Sequence, residues 1–293
     1  MPSSSSRCLV CDCSELRPGT AGYLRCDRCG HETRSGNEEQ SLMVNEALVI
    51  DRMTKPDLKD RFQIRVALAA ACGRHRIIDV GAGSGRFLFH IRRHFAEHLG
   101  IEITKECLDF GRSRLRLDLA PSLSAENIGS PDVVTFWHSM EHMPAEAITN
   151  TLSILGDVTR VVISVPNASN LYGARSVYYD PANHVHQFSA ASLDLLMARF
   201  GFHHIRSHTS IAYSWLGHAL SILNLVSPHN FLYLSLRRDD RKKPFAKRMA
   251  IALCAAGALL ALILALPIFL VELLAPRRGI VITAVYEQRI AMM

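Results

Sequence analysis

The sequence predicts an α/β fold with a doubly wound sheet, on three observations. Residues 77–85, Ile-Ile-Asp-Val-Gly-Ala-Gly-Ser-Gly, read as a short β-branched strand running into three glycines, after which Phe87, Leu88, Ile91 and Phe95 share one helical face. A second acid, Glu102, closes the next apolar run, 17 residues beyond Gly85. Val133 to Trp137 make a third apolar run, and the polar residues at its carboxyl end, His138-Ser-Met-Glu-His142, emerge where doubly wound sheets bind their ligands. At 293 residues, 48% hydrophobic and 20% charged, the chain can bury one large α/β core plus a small appended module.

That module comes first, over residues 1–36, which hold five of the eight cysteines. Cys8-x2-Cys11, then fourteen intervening residues, then Cys26-x2-Cys29 form two knuckles whose thiolates can converge tetrahedrally on Zn²⁺, and the spacing resembles a zinc ribbon. Four thiolates close the coordination sphere and leave no place for water, so the metal is expected to be structural. Cys13 is a possible substitute ligand and His31 a bystander. The opening residues carry no apolar secretory core, so the cysteines are read in a reducing cytosol, where metal binding outweighs disulfides.

Ser35 to Lys59 reads as a polar linker in part, and Asp57 to Cys72 as an amphipathic helix leading into the first strand of the main body, 37–293. The glycines at 81, 83 and 85 let the backbone approach a ligand closely. A dinucleotide loop spaces its glycines G-x-G-x-x-G. Here the third glycine comes one residue early and Asp79 precedes the loop; its carboxylate would repel a diphosphate and suits an ammonium or sulfonium group. Glu102, at the tip of the neighbouring strand, can accept both hydroxyls of a ribose. Together, Asp79, Gly81, Gly83, Gly85 and Glu102 resemble the cofactor-binding half of class I S-adenosylmethionine-dependent methyltransferases.

The resemblance implies a Rossmann-like, seven-stranded sheet with S-adenosylmethionine at its open end. A helix is expected from Thr104 to about Leu115, then a strand at Arg116 to Leu119 whose Asp118 could meet the adenine amino group. Trp137 and His138 are expected to line the cofactor site. Ser164-Val-Pro-Asn167, and Asn183-His-Val-His-Gln-Phe-Ser189 before a helix ending near Gly201, are similar to the branch holding the small-molecule and quinone-type O-methyltransferases. Methyltransferases of exocyclic base nitrogens resemble one another in an Asn/Asp-Pro-Pro-aromatic run that is missing after Trp137, which disfavours that activity. Among the histidines at 138, 142, 184 and 186, His142 and His184 are the candidates for acid–base work, because an imidazole titrates near the operating pH. Glu141 could orient an imidazole, and two histidines with one glutamate are suitable metal donors.

The formal charge of +6 is local: nine Lys and Arg against three acids lie between Arg237 and Arg278, which leaves 24 of each sign elsewhere. A nucleic-acid-binding face spreads its basic residues more widely, so nucleic acid is disfavoured as a partner. The excess flanks residues 249–271, which contain no charge and are long enough to enter a bilayer. The strongly β-forming Gly279 to Arg289 follows, and a final strand returning to the sheet is incompatible with a single crossing. The expectation is an apolar and basic helical insertion over 209–278, monotopic or re-entrant, kinked near Pro267 and paired with the stretch from Tyr213 to Leu236. The protein is accordingly expected in the cytoplasm, peripheral to the inner face of a membrane, and acting on a hydrophobic or lipid-linked small molecule. Two alternatives are an RNA methyltransferase gripping its substrate with the zinc ribbon, and an inactive membrane-associated scaffold.

Overall fold

In the computed structural model, which describes residues 7–34, 56–155, 160–231 and 245–288, the run around Ile77 is the central strand of a seven-stranded sheet. The strands in chain order are β1 (Leu16–Pro18), β2 (Tyr23–Cys26), β3 (Glu32–Arg34), β4 (Arg76–Val80), β5 (Glu97–Ile101), β6 (Leu119–Ala120), β7 (Val133–Trp137), β8 (Arg160–Pro166), β9 (His186–Gln187), β10 (Phe202–His208) and β11 (Val281–Gln288). The large sheet has the order β10-β11-β8-β7-β4-β5-β6. Strands β8 to β6 pair in parallel, and β11 enters between β10 and β8 antiparallel to both. Chain order reverses direction at β4, with β5 on one side and β7 on the other, which makes the carboxyl end of β4 the switch point where such sheets bind ligands. Apolar residues cover both faces of β7 and β8, as parallel strands between two helical layers require.

The flanking helices start where local chemistry starts them. Helix α1 (Leu58–Ala70) is capped by Asp57, whose Oδ1 accepts from the backbone N–H of Lys59 at 2.8 Å and of Asp60 at 3.0 Å, while Asp60 returns a bond to the N–H of Asp57. Helix α2 (Arg86–Ile91) ends sooner than its apolar spacing predicts, giving way to a 3₁₀ turn at Arg92–His94, yet Phe87, Leu88, Ile91 and Phe95 are all buried. Helix α3 (Lys105–Leu115) follows Thr104 and closes with Arg116 in the left-handed region. Strand β6 therefore begins at Leu119 instead of Arg116. Helices α4 (Ala125–Ile128), α5 (Ala145–Ile154) and α6 (Ala190–Arg199) complete the layers, α6 behind a Ser189–Ser192 capping box.

The cysteine module is joined to the body by main chain. Strands β1, β2 and β3 form an antiparallel sheet whose edge, β3, pairs with β9 of the body, Glu32 opposite Gln187 and Thr33 opposite His186. Tyr23, 1% exposed, donates its hydroxyl to the carbonyl of His184 at 2.9 Å and accepts from Gln187 Nε2 at 2.9 Å. His31 is buried against His186 and Phe188, and burial drives its pKa down to about 4.

Between β10 and β11 the chain makes a helical excursion: a π turn at Ile211–Trp215, α7 (Leu216–Val226) and the 30-residue α8 (Phe245–Leu274), which runs through Pro267. Ala219 and Leu223 of α7 pack on Ala261 and Ala265 of α8, and Trp215 Nε1 donates to the Leu262 carbonyl at 2.9 Å. The linker from Ser35 and the basic residues before Phe245 lie outside the described residues. The carboxyl end of α8 is tied to the body by a buried pair: Glu272, 3% exposed, meets His218 Nε2 at 2.6 Å and accepts from Ser214 Oγ at 2.5 Å. Removing one member of a buried pair strands the other, so His218→Leu is expected to cost about 3–5 kcal/mol in urea unfolding. A loss below about 1 kcal/mol would show that α8 is held mainly by its apolar contacts.

Candidate functional site

The glycine turn and two carboxylates converge at the carboxyl ends of β4 and β5. Gly81 and Gly85 take φ of +77° and +80°; a Cβ on Gly81 would come within 2.3 Å of Ser139 Cβ, and one on Gly85 within 2.3 Å of Leu117 Cδ1, so both positions exclude side chains. Glu102, 6% exposed, reaches back to the turn: its Oε2 accepts from the backbone N–H of Gly83 at 2.8 Å and its Oε1 from that of Thr104 at 2.7 Å. Asp79 is 3% exposed, and its side chain accepts from the Thr135 hydroxyl at 2.7 Å. Burial pushes its pKa up to about 7; the Thr135 bond pulls it down and the nearby negative charge of Glu102 pushes it up again.

A cavity of about 280 Å³ opens beside this turn, lined by Asp79, Gly81, Ala82, Phe87, Trp137 and Tyr213 among others. Its wall from α1 is braced by Asp60, whose carboxylate takes Arg86 Nε at 3.0 Å and Nη2 at 2.6 Å. Trp137 is 8% exposed, and its indole N–H has no hydrogen-bond partner among the described residues. An uncompensated acid, an unused indole donor and a side-chain-free turn fit a cationic nucleoside better than a diphosphate. Asp118 is not part of this group; it is exposed just before β6, and its backbone N–H bonds to His98 Nε2 at 3.4 Å.

Beyond β7 the chain turns through His138, a non-glycine residue at φ +52°, a conformation retained only where its surroundings hold it. The His138 ring lies 4.8 Å from that of Tyr213 and 6.1 Å from that of Tyr178, and its Nδ1 is 3.4 Å from Glu141 Oε1. The sequence offers Glu141 as the orienting group for its neighbour His142, but the 3₁₀ turn at Met140–His142 brings its carboxylate to His138, three residues back. Burial alone would raise the pKa of Glu141, but the His138 bond and the neighbouring imidazoles leave it lowered. His142, exposed, and His184, 7% exposed, meet with ring centroids 4.8 Å apart, although 42 positions separate them in the chain. Burial lowers the pKa of His184 to about 4, and burial together with His31 beside it holds that of His186 well below its ordinary value. Thr135, Tyr178 and Tyr213 were not singled out in the sequence, since nothing local distinguishes them from core residues.

In the cysteine module, the Sγ atoms of Cys8, Cys11, Cys26 and Cys29 all lie within 4.8 Å of one another, with Cys8–Cys29 and Cys11–Cys26 at 3.5 Å. Tetrahedral Zn–S bonds of about 2.3 Å need sulfurs about 3.8 Å apart, so the four thiolates could hold Zn²⁺. Cys13 lies outside this cluster and accepts from the Glu15 N–H at 3.4 Å.

The family model described as "Methyltransferase domain" matches residues 49–207, more than half of the chain. The chain belongs to this family. Members draw their methyl group from S-adenosylmethionine, and the matched span contains the glycine turn, Asp79, Glu102 and the His138–His142 segment, while excluding the cysteine module, α7, α8 and β11. Among solved structures, the chain is similar to an S-adenosylmethionine-dependent methyltransferase from Archaeoglobus fulgidus, at 15% identity over 83% of this chain and 99% of that one, with a TM-score of 0.46. It is also similar to magnesium protoporphyrin IX methyltransferase from Synechocystis PCC 6803, at 14% identity over 58% of this chain and 92% of that one, with a TM-score of 0.39. No curated protein matches the chain.

The raised pKa of Asp79 has a thermodynamic sign. With a folded value near 7 and an ordinary value of 3.8, the folded chain binds more protons between those limits, so this carboxylate destabilises the ligand-free protein above pH 7 and relents as pH falls toward 4. Asp79→Asn is expected to stabilise the ligand-free protein at pH 8 by on the order of 2 kcal/mol, with the gain shrinking toward pH 5 in urea melts. Equal stabilities of the two proteins at pH 8 would contradict this.

Proposed function

We propose that this family member transfers a methyl group from S-adenosylmethionine to an oxygen of a hydrophobic or lipid-linked acceptor at a membrane surface. The observation that carries the cofactor half is the buried, uncompensated Asp79 carboxylate beside the Gly81–Gly85 turn. There it would meet the positive charge of the cofactor, with Glu102 at the ribose and Trp137 and His138 along the wall. In the transfer, an acceptor oxygen lone pair forms the new O–C bond as the S–C bond breaks. When bound, the cofactor would supply the methyl group with its sulfur keeping the electron pair of the broken bond, and the hydroxyl proton would pass by way of the His142–His184 pair to water. Most of the acceleration would come from holding oxygen and methyl in line, with proton removal a smaller contribution.

The membrane half rests on α8. Residues Ala256–Leu274 are only 22% buried, and Leu259, Ile263, Val271 and Leu274 are 65–89% exposed. An apolar surface of this kind is costly in water, and Lys and Arg crowd the chain on both sides of it. Because β11 returns to the sheet and α7 packs along α8, a helical hairpin lying in one leaflet fits the topology. For the cysteine module we propose a structural Zn²⁺; its edge strand β3 is taken up by β9, which supports a bracing role over one of gripping RNA.

Calorimetry on the full chain is expected to show S-adenosylmethionine binding that weakens as pH falls from 8 to 6 and loses at least tenfold in Asp79→Asn. Binding that is independent of pH and unchanged in the variant would refute the assignment of Asp79. Flotation with vesicles containing anionic lipid is expected to carry the protein upward, and a Leu259→Lys, Ile263→Lys variant should remain at the bottom. A wild type that stays in the aqueous fraction as a stable dimer would replace the bilayer with a second copy. Chelation of zinc is expected to lower the Tm and to loosen the 183–187 segment in hydrogen exchange.

A further inference from the structure

Glu141, His142 and His184 together form a site that neither the glycine turn nor the cysteine module explains. One ligand atom from each lies within 4.8 Å of the others. Glu141 is 2% exposed and has one oxygen, Oε1, near His138, while the other, Oε2, has no hydrogen-bond partner among the described residues. His184 is 7% exposed and its Nδ1 is likewise unpartnered. A buried carboxylate oxygen and a buried ring nitrogen without partners are costly in an apolar setting, and a cation satisfies both at once.

His142 is prepared in the same sense. Its Nδ1 lies 2.9 Å from the Asn183 carbonyl, which can only accept, so Nδ1 carries the proton and Nε2 presents its lone pair. Metal-bound histidines are held in this way by the hydrogen bond of the second nitrogen. The backbone of the site is fixed on both sides: the Val185 N–H donates to the Glu141 carbonyl at 2.8 Å, and Tyr23 of the cysteine module holds the His184 carbonyl at 2.9 Å.

We propose that Glu141, His142 and His184 bind a divalent transition-metal ion beside the methyl-transfer pocket. Two imidazoles and one carboxylate favour Mn²⁺, Fe²⁺, Co²⁺ or Zn²⁺ over Mg²⁺, and three protein ligands leave positions open for oxygen atoms of a second molecule. His138 spans the distance to the pocket, touching Glu141 on one side and packing on Tyr213, a wall of the Asp79 cavity, on the other. A metal here would take the free ring nitrogens of His142 and His184, so the pair would position the acceptor oxygen in place of the proton-passing role given above, and the site rests on that reading only for the identity of the second molecule as the methyl acceptor. Metal binding itself does not depend on it.

The test uses full-length protein loaded with a single equivalent of Zn²⁺, which the four thiolates take first, titrated with Mn²⁺ and followed by the electron paramagnetic resonance of the free ion. One equivalent is expected to bind. His142→Ala, at an exposed position that the fold should tolerate, and Glu141→Gln are each expected to weaken binding by roughly 10- to 100-fold. Co²⁺ added to the same zinc-loaded protein should give the weak visible bands of nitrogen and oxygen ligation, lost in both variants. No saturable binding of either ion, or binding unchanged in both variants, overturns the proposal. Calorimetry with S-adenosylmethionine on the same samples separates the two readings. Cofactor binding without metal binding removes the metal site alone, and metal binding without cofactor binding removes the methyl-transfer reading alone.

Discussion

A carboxylate held out of water without a cation is the constraint on which the rest of this molecule turns. Asp79 sits one residue from the end of the central strand, flanked in the sheet by Gly100 and Thr135, with a single hydroxyl and no cation as partner among the described residues and a second carboxylate nearby. A protein keeps such a group only if something bound there repays its desolvation, or if the site works with a proton on it. The glycine turn supplies the room, since any side chain at Gly81 would collide with Ser139. The reversal of chain order at β4 supplies the opening, because neighbouring connections leave the sheet in opposite directions there.

The second theme is bracing. The segment that brings His184 to His142 has little regular structure of its own beyond β9, two residues long. It is held by β3 of the cysteine module, by Tyr23 and by the Val185 bond to Glu141. A module too small to fold on its own core thus stiffens a loop of the larger body. The four thiolates that could hold zinc are thereby connected to a histidine about 160 residues away in sequence, because Tyr23 and His184 are one hydrogen bond apart.

The third is the tension between α8 and the sheet. One side of this helix carries exposed leucines with Ile263 and Val271, and its end is tied into the body by Glu272, His218 and Ser214. A buried polar triad adds little to stability when compared with apolar packing, but it fixes orientation. Here it fixes which side of the α7–α8 hairpin faces outward and brings Gly279, against which Glu272 packs, to the start of β11.

Much of this was legible in the sequence because it is local. The strand, turn and helix around Asp79, the paired cysteine knuckles and the apolar run before a final strand each depend on residues within a few positions of one another, where spacing and backbone preference act directly. Arg116 falls in the stretch that reads as strand, yet its left-handed cap closes α3, a choice that packing makes and propensity does not. The convergence of Glu141 and His142 with His184, the pairing of Glu141 with His138, the placing of Tyr213 over the pocket and the seating of β3 on β9 were decided only by the tertiary structure. Each joins segments far apart in the chain, and no periodicity in one segment carries information about which distant segment will pack against it.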